Sequence, residues 1–413
     1  MALSRRARRA LVLVPSLLVG IPLGLLVLAV VLVLVFANVP AGQRYIAGQA
    51  ASLTGGMVQI DGLSGRFPDA LRVRHLAIRD TKGPWLSIDD LALDWAPTRL
   101  VFLDARIDRL AFARLSIPRL PVAAPDAKPA PANAQGSSVP GLKIDLRALD
   151  AARIDVGPEV AGTAASFALG GHARIASIAP IVQGASVANL PNSDIGLTLH
   201  RLDAPATLAL TTRIAPGTLA LSLDAHEGQG GFLGAKLGMP SLDPVDLRLR
   251  LSGPRTREAL DFAVAAGQVR ATTRGTVDLL HPGADIRVQA HAPAMAVGSQ
   301  VSWQSLALDL TLHGALGAPR GNGTLAIDGL SASGAGFDTL RATFDGVDPA
   351  PGHEQDTRAH LAATIAGLRL PGSQPALLAH APLVLDVGVR PLADGRPVEF
   401  RLDHTLLHAS GTA

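Results

Sequence analysis

Val245-Asp246-Leu247-Arg248-Leu249-Arg250-Leu251-Ser252 sets an aliphatic side chain at every second position and a charged or polar one between. Successive side chains of a strand point to opposite faces, so this stretch reads as a β-strand with one apolar and one wet face. Leu306, Leu308, Leu310 and Leu312 repeat the pattern against Ala307, Asp309, Thr311 and His313. It returns at Ile195-Leu197-Leu199, Leu208-Leu210, Leu219-Leu221-Leu223, Ile286-Val288 and Leu385-Val387-Val389. Gly, Pro, Asp or Asn punctuates these runs roughly every 8–14 residues, the spacing of a repetitive all-β meander. A loose unit recurs in which a strand ends in glycine, turns at a proline and continues as a second strand. Leu247 to Val264 around Pro254 and Leu310 to Ile327 around Pro319 are examples. Only Arg255 to Val264, after Pro254, suggests a helix in this region.

Upstream, the same alternation predicts short strands at Val58–Ile60, Leu71–Val73, Leu76–Ile78, Trp85–Ile88, Leu91–Leu93, Ile107–Phe112 and Leu115–Ile117. Asp61-Gly62, Phe67-Pro68-Asp69 and Lys82-Gly83-Pro84 supply turn chemistry between them. Thr98 to Leu103 predicts a short turn or helix. Residues 121–140 differ: prolines, alanines and small polar residues leave little to bury, and the segment reads as an extended linker. The organisation expected is therefore a segment 1–43, a β region 44–120, the linker, and a repetitive β region 141–413.

The segment 1–43 is a membrane anchor by its pattern. Arg5, Arg6, Arg8 and Arg9 precede a stretch from Ala10 to Gln43 without charge. Its aliphatic core, Leu11 to Phe36, would extend about 39 Å as a helix at about 1.5 Å per residue, enough to cross a hydrocarbon layer of about 30 Å with tilt. The four arginines place the N-terminus in the cytoplasm and Arg44 onward on the far side, the periplasm of a bacterium. A secretory h-region runs only about 7–15 residues, so the length favours a single uncleaved inner-membrane span over a signal peptide.

Composition removes several function classes. With no cysteine, disulfide frameworks, cysteine nucleophiles and thiolate metal sites are excluded together. The net charge of +3 is largely the four anchor arginines, and aromatics are 3%, so the clustered basic face and stacking platforms of a nucleic-acid binder are missing. Gly321-Asn322-Gly323-Thr324-Leu325-Ala326 matches a dinucleotide fingerprint, but Pro319 precedes it and a strand follows it where a helix is needed, so it reads as a β-turn. His404 and His408 have zinc-ligand spacing without the glutamate that a zinc protease places after its first histidine. Asp89-Asp90 are adjacent, so in a strand they face opposite ways and do not form a carboxylate pair. No phosphate-loop or nucleophile-elbow pattern occurs. The expectation is a protein that is not an enzyme, with no cofactor and no metal.

The N-terminal third carries a more specific signal. After the anchor come Gly62-Leu63-Ser64-Gly65-Arg66-Phe67-Pro68, then Leu71 to Asp80, then Gly83-Pro84-Trp85-Leu86-Ser87-Ile88-Asp89, then Leu91-Ala92-Leu93-Asp94-Trp95-Ala96-Pro97. The order G-x-F-P, D-x-x-G-x-W-L, L-D-W-x-P resembles the start of the TamB family, the inner-membrane subunits of translocation and assembly modules, within the AsmA-like group. The likeness covers roughly residues 1–120; beyond it the chain agrees only in β-repeat texture. It implies a β-taco, an elongated curled sheet with a hydrophobic interior. It also implies roles in outer-membrane protein and autotransporter assembly with an Omp85-type, TamA-like partner, and in phospholipid transfer between membranes. Family chains are much longer, so the end at Ala413 in mid-pattern suggests a fragment or truncated product. About 20 strands stacked at about 4.8 Å would give a groove of about 100 Å.

The resemblance and the one-sided pattern together nominate a lipid groove lined by Leu197, Leu199, Leu219, Leu221, Leu247, Leu249, Leu251, Leu306, Leu308, Leu310 and Leu312, with phospholipid acyl chains as occupants. The competing expectation is a closed β-helical scaffold or adhesin whose core is filled by these same leucines and which binds a partner protein without lipid.

Overall fold

A computed structural model of the chain describes residues 36–122, 141–184, 186–229, 242, 244–297, 301–315, 320–347, 358–372, 374–389 and 398–412. The anchor arginines, the apolar core 11–35 and most of the linker lie outside the described residues. Among the described residues no helix is long and apolar enough to cross a membrane. The fold is mainly β, and it divides into two compact units.

The first unit holds α1 (Pro40–Leu53), β1 (Val58–Arg66), β2 (Ala70–Asp80), β3 (Gly83–Trp95), β4 (Asp104–Phe112), β5 (Arg114–Ile117) and, from Asp145 onward, β6 (Lys143–Val156). Pro40 opens α1, where its missing N–H costs nothing, and the Thr54 hydroxyl closes it against the Ala50 carbonyl at 2.7 Å. β1, β2 and β3 form an antiparallel meander, while β5 lies parallel to β6. The unit thus takes in the strand that follows the linker.

Polar knots fix both ends of this meander. At one end Asp80 accepts from Arg119 at 2.6 and 2.7 Å and from the backbone N–H groups of Lys82 and Val122, both at 2.8 Å. The Arg119 guanidinium holds the Asp80 carboxyl far below the usual carboxylate range. At the other end Asn38 exchanges two hydrogen bonds with the Phe67 backbone, at 2.8 and 2.7 Å, and the Trp95 indole donates to the Pro68 carbonyl at 2.7 Å. Arg72 forks onto Asp94 at 2.8 and 3.1 Å. The residues of the three sequence motifs are therefore the ones that tie turns to strands.

The second unit is a longer ladder: β7 (Ala165–Ile175), β8 (Ser193–Arg201), β9 (Ala206–Ala215), β10 (Thr218–Glu227), β11 (Val245–Pro254), β12 (Glu258–Ala266), β13 (Val269–Asp278), β14 (Gly283–Ala292), β15 (Met295–Val297), β16 (Val301–Trp303), β17 (Ser305–Ala315), β18 (Arg320–Ala332), β19 (Ala335–Val347), β20 (Arg358–Ala366), β21 (Leu383–Val389), β22 (Val398–His404) and β23 (Leu407–Thr412). Each pairs antiparallel with the next, except that β14 skips the small β15–β16 hairpin to pair with β17, and β16 pairs with the far end of β18. The repetitive meander expected from the alternation is present.

Three local expectations are corrected. Arg255 to Val264 is no helix: Arg257 N–H closes a turn on the Pro254 carbonyl at 2.7 Å, and β12 follows because Leu260, Phe262 and Val264 keep period two against Asp261 and Ala263. Asp61-Gly62 is no turn but lies inside β1, where Gly62 at φ +67° absorbs an irregularity; a Cβ there would stand 2.8 Å from that of Arg74. The fingerprint-like Gly321 to Ala326 is strand from its first residue, with Gly321 at φ +138° and its missing Cβ 1.9 Å from the Thr311 carbonyl oxygen. Each time glycine's conformational freedom serves the ladder rather than a reversal of the chain. The expected turn or helix after Trp95 is a single 3₁₀ stretch, Pro97–Phe102.

Candidate functional site

In an antiparallel pair, residues directly opposite each other share a face, so register decides whether the aliphatic positions of separate strands meet. They do. From β7 across the second ladder one row runs Leu169, Leu199, Leu208, Ala225, Leu247, Val264, Ala271, Ala290, Leu308, Leu325, Ala342, Ala363, Leu385, Leu402 and Ala409, each directly opposite the next. These fifteen consecutive positions are all Leu, Val or Ala. The row two residues along holds Leu197, Leu210, Leu223, Leu249, Phe262, Val288, Leu310, Phe344, Leu361, Val387 and Phe400, interrupted by Thr273 and by Gly323. Leu221, Leu251, Leu260, Ile286 and Leu312 follow in a third row, with Leu219 and Leu306 at the margins. All eleven leucines nominated from sequence lie on this one face. Measured along the ladder at about 4.8 Å per strand, the first row is about 70 Å long.

The lane is not the filled interior of a sandwich. Among the described residues the only branched aliphatic side chains below about a tenth exposed are Val73, Leu219 and Leu383, at 8%, 8% and 9%. Leu247, Leu249, Leu308 and Leu310 are half-buried, covered by their neighbours in the sheet. A core packed between two layers would bury them as fully as any protein interior.

Charges stand at the margins of the lane. Arg201 and Glu227 share its face at one side; Arg201 donates to Asp203 at 3.0 Å, lies 3.9 Å from Glu227, and draws the Asp203 carboxyl down to about 2. At the opposite margin Glu258, two residues before Leu260, is 0% exposed, and its carboxylate oxygens make no hydrogen bond among the described residues. Burial pushes its carboxyl above the usual range, against the opposing pull of the nearby Arg255 guanidinium. Arg255 donates to the carbonyls of Val187 and Ala215 at 3.1 and 3.3 Å, holding a loop against the strand ends. Reading 255–264 as helix hid Glu258 and Phe262 as members of this face, although the alternation with Asp261 carries the signal.

The reverse face is wet and paired. Arg250 forks onto Asp224 at 2.9 and 2.8 Å, Arg287 meets Asp309, His226 meets Asp246 at 2.7 Å, and His313 meets Asp285 at 3.0 Å. A shallow hollow of about 470 Å³ on this side is lined by His200, His226, Asp246, Arg248 and Thr272 among others, a saddle of the kind that strand twist produces. His404 and His408 stand on consecutive strands: His404 accepts the Leu406 N–H at 3.1 Å and His408 pairs with Asp403 at 3.1 Å. Among the described residues no three His, Asp or Glu side chains are grouped so as to hold a metal ion. Asp89 pairs with His75 at 2.7 Å, while Asp90 adopts φ +52°.

Compared with known proteins, the chain matches no family model, no curated protein and no solved structure.

Proposed function

We propose that the protein is an inner-membrane-anchored, periplasmic conduit in which the apolar lane of the second unit receives phospholipid acyl chains. The observation that carries this reading is the unbroken row from Leu169 to Ala409, aliphatic throughout, whose leucines are only half-buried. Each methylene withdrawn from water is worth about 0.8 kcal/mol, so a lane of this kind rewards a long flexible chain without needing polar contacts to orient it. Arg201 and Glu227 bound the lane on one side and the buried Glu258 on the other. With the TamB-like motifs at 62–97, the reading extends to envelope assembly: support of outer-membrane protein and autotransporter insertion with an Omp85-type partner, through lipid supply. No step of this work is catalytic. The closed scaffold gains nothing from the exposure of Leu247, Leu249, Leu308 and Leu310.

The test is site-specific photo-crosslinking in the full chain in cells. A photoreactive residue at Leu308 or Leu249 is expected to capture phospholipid, and one at Arg248, on the reverse face, is not. Equal capture at both faces, or none at either, overturns the conduit.

A further inference from the structure

The connection from β3 to β4 presents Leu100-Val101-Phe102-Leu103 to solvent. Val101 and Phe102 are each 82% exposed, far more than a tip with no partner requires of two large apolar side chains. No other described loop sets four large apolar residues in succession at such exposure. The 3₁₀ stretch Pro97–Phe102 holds them outward, and Arg99 at its base pairs with Asp104 at 2.9 Å, so the tip is shaped rather than loose.

Its position tells what it meets. Trp95, which leads into the tip, is bound through its N–H to the Asp69 carbonyl at 2.9 Å and through its indole to Pro68. Phe67 of the same turn is bound to Asn38, and Gln43 at the start of α1 reaches the Gly65 carbonyl at 3.3 Å. Phe36 and Asn38, among the first described residues where the apolar stretch of the sequence ends, therefore stand at the same end of the unit as the tip. Phe36 and Tyr45, each about half exposed, meet edge to face with ring centroids 6.0 Å apart at that end, which is the placement of an aromatic interfacial belt.

We infer that the Leu100–Leu103 tip docks into the headgroup and acyl boundary of the membrane that the N-terminal segment enters, giving the first unit a second attachment to the bilayer beside its anchor. Arg66, at the same end, is paired with Asp69, so the tip meets the bilayer through apolar contact rather than through a free charge. The docking rests on the anchor reading but not on lipid transport along the lane.

The absence of cysteine makes the test direct, because one introduced thiol is the only one. Full-length Phe102→Cys, Lys82→Cys and Leu25→Cys chains are labelled with an environment-sensitive dye and reconstituted in phosphatidylethanolamine and phosphatidylglycerol vesicles carrying headgroup-proximal nitroxide lipids. Insertion of the tip by about 5–10 Å predicts about a twofold loss of emission at position 102, none at Lys82 on the opposite end of the meander, and protection of 102 from aqueous iodide. Adding Val101→Asp should abolish quenching at 102 and leave position 25 quenched. Quenching at 25 without quenching at 102 overturns the docking and spares the anchor. A label at 102 shielded from iodide yet untouched by nitroxide lipid assigns the tip to a protein partner and also overturns it. Silence at both positions removes anchor and docking together.

Discussion

The first ladder is held by side chains that have no equivalents, the second by positions that are nearly interchangeable. Between β1, β2 and β3 the register skips one position in line, Gly62, Arg74 and Asp90, and the turns at each end are bound by particular groups: Asp80 with Arg119, Asn38 with Phe67, Trp95 with Pro68. From β7 to β23 the ladder instead repeats one rule, aliphatic on one face and paired charge on the other. The difference teaches where sequence specificity is expected. A one-off knot demands its own residues, whereas a lane tolerates any aliphatic side chain in the right phase.

The largest effect should come from breaking the backbone of the repetitive ladder, not its side chains. Gly321→Val forces a Cβ into the Thr311 carbonyl oxygen at a φ that L-residues avoid. A loss of about 3 kcal/mol or more is expected, read as a lowered denaturation midpoint. A midpoint close to wild type would mean that β17 and β18 slide apart without penalty and that the register of the lane is not fixed.

Two acids sharpen the comparison through opposite pH dependence. Asp80 has a folded-state pKa below its unfolded value, so its contribution to stability is present above the unfolded value near 4 and is lost as pH falls towards the folded one. Glu258 has a folded pKa above its unfolded value; the folded state binds the extra proton, so stability falls as pH rises from the unfolded value through the folded one. Asp80→Asn should lower the melting temperature at neutral pH by several degrees and flatten the acid side of its pH profile. Glu258→Gln, which removes an ionisable group from an apolar face, should raise it and remove the fall in stability that sets in above the unfolded carboxyl value. Shifts of the same sign for both variants would contradict the environments described for the two carboxyls.

These contrasts also mark what the sequence could disclose. Strict alternation in Val245 to Ser252 and Leu306 to His313 specified strands, faces and the lane, because a two-residue period leaves a sheet only one way to sort apolar from polar. The phase change between Val73 and Leu76, and again between Ile88 and Leu91, read as strand ends; it marks an irregularity within single long strands, which local pattern cannot distinguish from a turn. Glu258 stayed hidden because a glutamate in an apolar row looks like a polar position until cross-strand register places it. The tip at Leu100 to Leu103 could be read as a short helix, but its exposure depends on how Trp95 and Asp69 fix the ends of β2 and β3.

Half-burial of the lane makes a further, smaller prediction. Leu308→Ala in a packed interior would cost about 2–5 kcal/mol through lost transfer energy and a cavity. On an open lining neighbours and solvent close the gap, and about 1 kcal/mol is expected. Denaturant titration of purified full-length protein distinguishes the two, and a cost in the upper range would favour the filled scaffold.

The smallest effect should lie on the opposite side of the same strands. Arg287 donates to Asp309 at 3.0 and 2.5 Å, and its guanidinium, followed by the Gln289 amide, holds the Asp309 carboxyl below the usual range. Both side chains are largely open to water, where an ion pair is screened by salt and opposed by the entropy of holding two flexible groups together. Arg287→Ala leaves Asp309 with the Gln289 amide at 3.2 Å and with solvent. Thermal melts should therefore be unchanged at physiological salt, and phospholipid capture at Leu308, its near neighbour in the ladder, should be undiminished. Loss of capture in a variant that melts normally would place the working surface on the charged face and move the function off the aliphatic lane.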